Sequence, residues 1–176
     1  MPHVFETAPS GRAKCRGCGE PITKGDLRFG ERLENPYGEG EMTLWFHPIC
    51  GTYKRPEPFL EALADTEENV DDRERLEVRA RLGLEHRRLP RLDGAGRAPS
   101  GRARCRSCRE PIAKEAWRVS LVYYQEGRFE PAGFIHLACA PEYFETTDLL
   151  ARIDHFSELS AEDLAEIGSE LQKLAR

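Results

Sequence analysis

Two segments of the chain alternate apolar and polar residues with the period of a strand. In "DLRFGERLE" the apolar Leu27, Phe29 and Leu33 fall two or four positions apart, as in a strand with one face turned inward. "MTLWFH" reads as its returning strand, and the intervening "ENPYGEGE" has the Pro and Gly of an exposed loop. "AWRVSLVYY", the short turn "QEGR" and "FEPAGFIH" write a second hairpin further along. Each hairpin predicts a sheet of two or three strands. Helical patterns follow both, in "PEPFLEAL" and in "PEYFETTDLLARIDHF", each opening near a proline. From Glu67 to Leu89 the chain is dense in Glu and Arg with weak apolar periodicity, which predicts a solvated helix ending at Pro90. "RLDGAGRAPSG" then reads as a flexible linker. In "SAEDLAEIGSELQKLAR", Ser160 and Asp163 are placed as a capping box, and Leu164, Ile167, Leu171 and Leu174 recur at helical spacing.

The hairpins belong to an internal repeat. "APSGRAKCRGCGEPITK", Ala8 to Lys24, returns as "APSGRARCRSCREPIAK", Ala98 to Lys114, with thirteen of seventeen positions identical. In 176 residues this predicts two small modules. The fold class expected is α+β: two small hairpin or sheet modules, each followed by helix, joined by a charged helical spacer. The boundaries are a first module at 1–64, spacer and linker at 65–97, a second module at 98–156 and a C-terminal amphipathic helix at 157–176. Modules of this size bury a limited core and often need a staple. A mean hydropathy of −0.62 and 32% charged residues agree with a thin core.

Cysteine spacing supplies the staple. The first module has Cys15-x2-Cys18, then 28 residues, then His47-x2-Cys50; the second has Cys105-x2-Cys108, then 27 residues, then His136-x2-Cys139. All six cysteines are used. Two residues between ligands let one turn aim both side chains at a single ion, and a distant pair completes a tetrahedron. Three thiolates and an imidazole suit zinc, and a site closed by four protein ligands is structural. Two zinc ions are expected. Without an apolar run long enough to span a bilayer or an evident secretion signal, the chain reads as cytoplasmic, nucleoid-associated if bacterial and nuclear if eukaryotic. Disulfides are then disfavoured. His3, His86 and His155 lie outside the pattern and read as surface or packing histidines.

The net charge of −5 argues against a polyanionic partner, but its distribution changes that picture. Residues 1–56 carry 8 Lys/Arg against 7 Asp/Glu and residues 97–144 carry 8 against 5, so the acid is concentrated outside the modules. Arg12, Lys14 and Arg16 crowd the first cysteine pair, and Arg102, Arg104, Arg106 and Arg109 the second. No nucleophile elbow, phosphate loop, carboxylate pair or open metal site is present, so a non-enzymatic protein is expected.

The ligand pairs, the "SGRA" lead-in and the "WFH-x2-C" return together resemble the zinc finger of poly(ADP-ribose) polymerases, shared by a eukaryotic DNA ligase. The resemblance covers about residues 8–63 and 98–153, and no segment resembles the polymerases' catalytic domain. It implies recognition of DNA breaks, nicks or ends without sequence specificity, with basic residues on the backbone and an apolar loop against exposed base pairs. Carried onto matching positions, it implies phosphate contacts by Arg12 and Arg28 in the first finger and Arg102 and Arg118 in the second. Lys14 and Arg104 in the adjoining basic runs are added to the DNA-binding set. Pro36, Tyr37 and Met42 fall in or beside the stacking loop, and the shorter second hairpin offers Tyr124 or Phe129. Glu31, Glu34, Glu39 and Glu41 are expected around the first loop, where they would weaken phosphate contacts. The alternative is a protein–protein adaptor that keeps the finger fold, with the C-terminal helix as a protein-binding or homodimer seam. No membrane or small-molecule partner is expected.

Overall fold

Antiparallel pairing and short helices build two separate cores along the chain. The structure, a computed structural model, describes residues 2–176; the first residue of the 1–64 module lies outside them. The chain divides into two compact units, one ending at Pro90 and one spanning Arg91–Arg176.

In the first unit β1 (Val4–Thr7), β2 (Leu27–Glu34) and β3 (Glu41–Phe46) form an antiparallel sheet in that order. Register sets Phe5 opposite Phe29 and Phe29 opposite Phe46. Strand alternation sends these three rings to one face, where Phe59 joins them. Ring centroids lie 5.4–5.8 Å apart, and all four residues are buried. Burying each such ring stabilises the unit by about 1.5–3 kcal/mol.

Phe59 comes from α2 (Pro56–Asp65), which follows α1 (Pro48–Lys54) across the single residue Arg55. Both helices open on proline, whose fixed φ suits the first helical position. Pro56 also disfavours helical geometry at Arg55, which sits at φ −135° and separates the helices. Arg55 reaches back to Glu31 on β2 through a two-pronged pair at 2.6 and 2.8 Å. Glu31 is therefore buried in the unit and is not one of the acids around the loop, contrary to the expectation from sequence.

The expectation of a solvated spacer helix is also corrected. α3 (Arg73–Glu85) packs on α1 and α2 through the buried Leu76, Ala80 and Gly83. Two of these three are small, which is why the apolar period was faint. Tyr53 on α1 accepts a 2.7 Å hydrogen bond from Arg79.

In the second unit β4 (Leu92–Arg97), β5 (Trp117–Gln125) and β6 (Arg128–His136) repeat the sheet order. β4 occupies the segment that composition assigned to a linker. Its glycine has a structural cause: Gly94 sits at φ 101°, where an added Cβ would collide with the carbonyl of Phe156. The strand is also held by Ala95 N–H donating to Ser157 Oγ at 2.8 Å. The single helix suggested by "PEYFETTDLLARIDHF" is two, α4 (Ala140–Phe144) and α5 (Leu150–His155), interrupted after Glu145 at φ 60°.

α6 (Ala161–Leu174) begins with the capping box: Ser160 Oγ accepts from Asp163 N–H at 3.0 Å, and Asp163 Oδ2 accepts from Ser160 N–H at 3.4 Å. Ile167 and Leu171 are buried and Leu164 is half-buried, while Leu174 is exposed. The helix packs on α5 and on the Leu137–Cys139 turn of its own unit. Among the described residues no helix is long and apolar enough to cross a membrane.

Candidate metal centres and nucleic-acid interface

Each unit brings its Cys3His set together at one end of its sheet. In the first, Cys15 and Cys18 sit on a turn that precedes β2, His47 follows β3 directly, and Cys50 lies in α1. In the second, Cys105 and Cys108 occupy the equivalent turn, His136 ends β6 and Cys139 closes a 3-10 turn. Within each cluster the four ligand atoms all lie within 4.8 Å of one another. His47 Nδ1 is 3.4 Å from Cys18 Sγ and 3.9 Å from Cys50 Sγ, and His136 Nδ1 is 3.4 Å from Cys108 Sγ and 3.8 Å from Cys139 Sγ.

These edges fit zinc. Tetrahedral bonds of about 2.3 Å to sulfur and about 2.0 Å to nitrogen give edges of about 3.5 Å from S to N. His136 Nε2 lies 3.1 Å from the Pro111 carbonyl, an acceptor that keeps the proton on Nε2 and leaves Nδ1 for the metal. The two clusters hold two structural zinc ions.

Backbone amides prepare one thiolate in each cluster. Cys15 Sγ accepts from the N–H of Gly17 and of His47, both at 3.3 Å, and Cys105 Sγ accepts from Ser107 and His136 at 3.4 and 3.3 Å. Without the ion, the Cys50 thiol and these amides outweigh burial and bring Cys15 down to about 4. At Cys105 burial works upward, and the amides of Cys108, His136 and Ser107 overcome it to give about 6. Cys50 moves up, chiefly by donating to the Cys15 thiolate, and burial pushes Cys139 up to about 12. One thiolate in each cluster is thus prepared for the ion, and zinc must displace the protons held by Cys50 and Cys139.

Around the metal turns, Arg12, Lys14 and Arg16 are exposed, as are Arg102, Arg104, Arg106 and Arg109. Arg12 and Arg102 make no ion pair among the described residues. Arg104 donates to the Arg109 carbonyl at 3.3 Å. In the loop between β2 and β3, Asn35 N–H donates to the Gly40 carbonyl and Asn35 Oδ1 accepts from Tyr37 N–H, each at 2.9 Å. Pro36 and Tyr37 are exposed there, and Met42 is half-buried opposite Leu33. At the second hairpin Tyr124 and Phe129 pair across the strands with centroids 5.1 Å apart, above a turn through Glu126 and Gly127, both at positive φ.

The two strand arginines sit in a setting that sequence reading missed. Arg28 lies 3.5 Å over the ring of Trp45, and Arg118 lies 3.5 Å over the ring of Phe134. Both rings stand two residues before the ligand histidine. The signal was the alternation in "WFH" and "FIH", which puts the ring and the histidine on one strand face; the cross-strand register was needed to add the arginine. Burial lowers the Arg118 pKa without threatening its charge. Arg28 additionally pairs with Glu6 at 2.5 and 3.2 Å.

Comparisons with known proteins agree with this geometry. Residues 6–85 match the family described as the poly(ADP-ribose) polymerase and DNA-ligase Zn-finger region. A poly(ADP-ribose) polymerase 1 of Oryza sativa subsp. japonica is 29% identical over 85% of this chain and 16% of its own length. A poly(ADP-ribose) polymerase of Drosophila melanogaster is 28% identical over 70% of the chain and 14% of its length. A polynucleotide 3'-phosphatase of Arabidopsis thaliana is 26% identical over 95% of the chain and 28% of its length. The chain thus spans less than a third of these relatives. Residues 6–85 are thus similar to the poly(ADP-ribose) polymerase-type zinc finger, and the second unit carries a second finger-like Cys3His motif.

Proposed function

We propose that the protein binds DNA breaks, nicks or ends without reading sequence, using both fingers and carrying out no chemistry itself. The observation that carries this reading is duplication: in each finger an exposed arginine, Arg12 or Arg102, stands three residues before the first ligand within an exposed basic run that crowds the metal turn. Cations held in fixed positions suit phosphate, which gives affinity independent of sequence. The exposed Tyr37 in the loop between β2 and β3 suits an unstacked base, a contact of about 1–3 kcal/mol. Relatives named for poly(ADP-ribose) polymerase and for a polynucleotide 3'-phosphatase support a ligand in which polynucleotide chemistry is shared.

Arg12 and Arg102 are proposed as phosphate contacts, with Lys14 and Arg104 beside them. Replacing both arginines with alanine weakens binding to all duplexes alike and reduces the salt slope of log K by about two. An unchanged slope in a zinc-loaded variant overturns the assignment.

A further inference from the structure

The two strand arginines occupy equivalent places but differ in charge balance. Register pairs Arg28 with Glu6 on β1 and pairs Arg118 with Gly96 on β4. Glu6 and Gly96 are thus counterparts in the two sheets. In the first unit the Arg28 guanidinium lies over Trp45 and pairs with the Glu6 carboxylate; its side chain is 9% exposed. In the second unit Arg118 has the ring of Phe134 but no carboxylate, and it makes no ion pair among the described residues.

We infer that Glu6 masks Arg28 from anions, so that the strand arginine of the first finger contributes little to phosphate binding while Arg118 of the second contributes fully. Glu6 is then a residue that sets how binding is shared between the fingers. This rests on the DNA-binding reading for its consequence, but the masking itself is a property of the free protein.

A carboxylate within 2.5 Å cancels the guanidinium's field at the distance where a phosphate would approach. Fully masked, Arg28 displaces no counterion from DNA; uncompensated, Arg118 displaces about one. The register neighbours of Arg28 and of Glu6 are each other; Gly30 between Val4 and Trp45 comes next on that face, and the nearest further charge in register on it is Arg32, opposite Thr43 and four residues along β2 from Arg28. Trp45 lies against Gly30, where an added Cβ would come within 2.5 Å of the indole, so the ring that supports Arg28 has a fixed seat.

The symmetry of the two sheets supplies the experiment. In the zinc-loaded full chain, Glu6→Gln keeps an acceptor for Arg28 and removes the counter-charge. Gly96→Glu places the counter-charge beside Arg118; an added Cβ there meets nothing within 4 Å and the backbone is not left-handed, so the change is tolerated. Binding to a nicked duplex is measured across salt. Glu6→Gln is expected to tighten binding about two- to fivefold at low salt. It also steepens the salt slope by about one, an extra loss of about threefold between 50 and 200 mM. Gly96→Glu is expected to weaken binding and flatten the slope by the same amounts. Unchanged slopes in a Glu6→Gln protein that binds DNA overturn the inference.

Should the wild-type chain bind no DNA, the functional proposal fails and a second readout still decides the masking. Trp117 is buried in the second unit, so tryptophan quenching by solutes reports mainly on Trp45. Glu6→Gln is expected to raise quenching by iodide relative to neutral acrylamide. An unchanged ratio overturns the inference.

Discussion

Substitution of Gly51 by alanine pits helix propensity against packing, and the structure says packing wins. Gly51 lies in α1 directly after the ligand Cys50 and is buried. A Cβ there would sit 2.6 Å from the nearest ring carbon of Phe29 and 3.2 Å from Phe59. Propensity alone favours alanine by about 0.5–1 kcal/mol. Overpacking a rigid core costs about 1–3 kcal/mol, and the rings of Phe29 and Phe59 are held by each other and by Phe5, so they give little ground. A net loss of about 1–2 kcal/mol is expected. In a unit of this size that lowers the midpoint by about 5–15 °C.

The second unit shows how the contact is otherwise solved. Its counterpart of Phe29 is Val119 and its counterpart of Gly51 is Ala140, both fully buried. A large strand residue faces no side chain in one unit, and a smaller one faces a methyl in the other. Phe29→Val combined with Gly51→Ala is therefore expected to cost at least about 0.5 kcal/mol less than the sum of the single changes, since neighbours couple. Thermal unfolding by circular dichroism, with zinc content measured in parallel, provides the assay. Because α1 carries Cys50, the alanine variant should also release the first zinc more readily to a chelator. Gly168→Ala in α6 is the control, since its nearest neighbour at 3.1 Å is only the end of the Leu150 side chain. A Gly51→Ala protein melting at or above the wild type would refute the reasoning.

Three further outcomes are expected. Arg55→Ala leaves the buried Glu31 carboxylate without its two-pronged partner and should cost the first unit about 3 kcal/mol, read from denaturant unfolding. Ser160→Ala removes the capping box of α6 and should cost about 1 kcal/mol, visible as a melting shift of several degrees in the second unit. Stripping zinc with a chelator should remove on the order of 10 kcal/mol of folding free energy per site, with loss of the cooperative melt and recovery on adding zinc back. Acid should assist the stripping, because protons compete with the ion for thiolates, most effectively at Cys50 and Cys139, whose affinity for a proton is raised.

The strands that carry the ligand histidines were legible because their alternation is strong: Leu27, Phe29 and Leu33 on one strand, "MTLWFH" and "FEPAGFIH" on the returns. The metal sets followed from spacing alone, since all eight ligands fall in two copies of one pattern. What escaped was mostly short or glycine-rich. β1 has four residues, α1 has seven that include Gly51, and β4 contains two glycines, of which Gly94 is required only by Phe156 and Ser157 far along the chain. α3 was seen as a helix, but its buried seam uses alanine and glycine, which carry little apolar signal. The Glu31–Arg55 and Glu6–Arg28 pairs could not be read at all. Each depends on which strand or helix lies alongside, and a charged residue in a strand looks the same in sequence whether water or a partner meets it.

The most direct test of the account is fluorescence anisotropy of the zinc-loaded chain with two capped duplexes of one sequence, one intact and one with a single nick, at low and moderate salt. The account predicts tighter binding to the nicked duplex at both salts, with affinity for both falling steeply as salt rises. Equal affinity for the two would contradict break recognition, and no binding to either at low salt would contradict DNA binding itself.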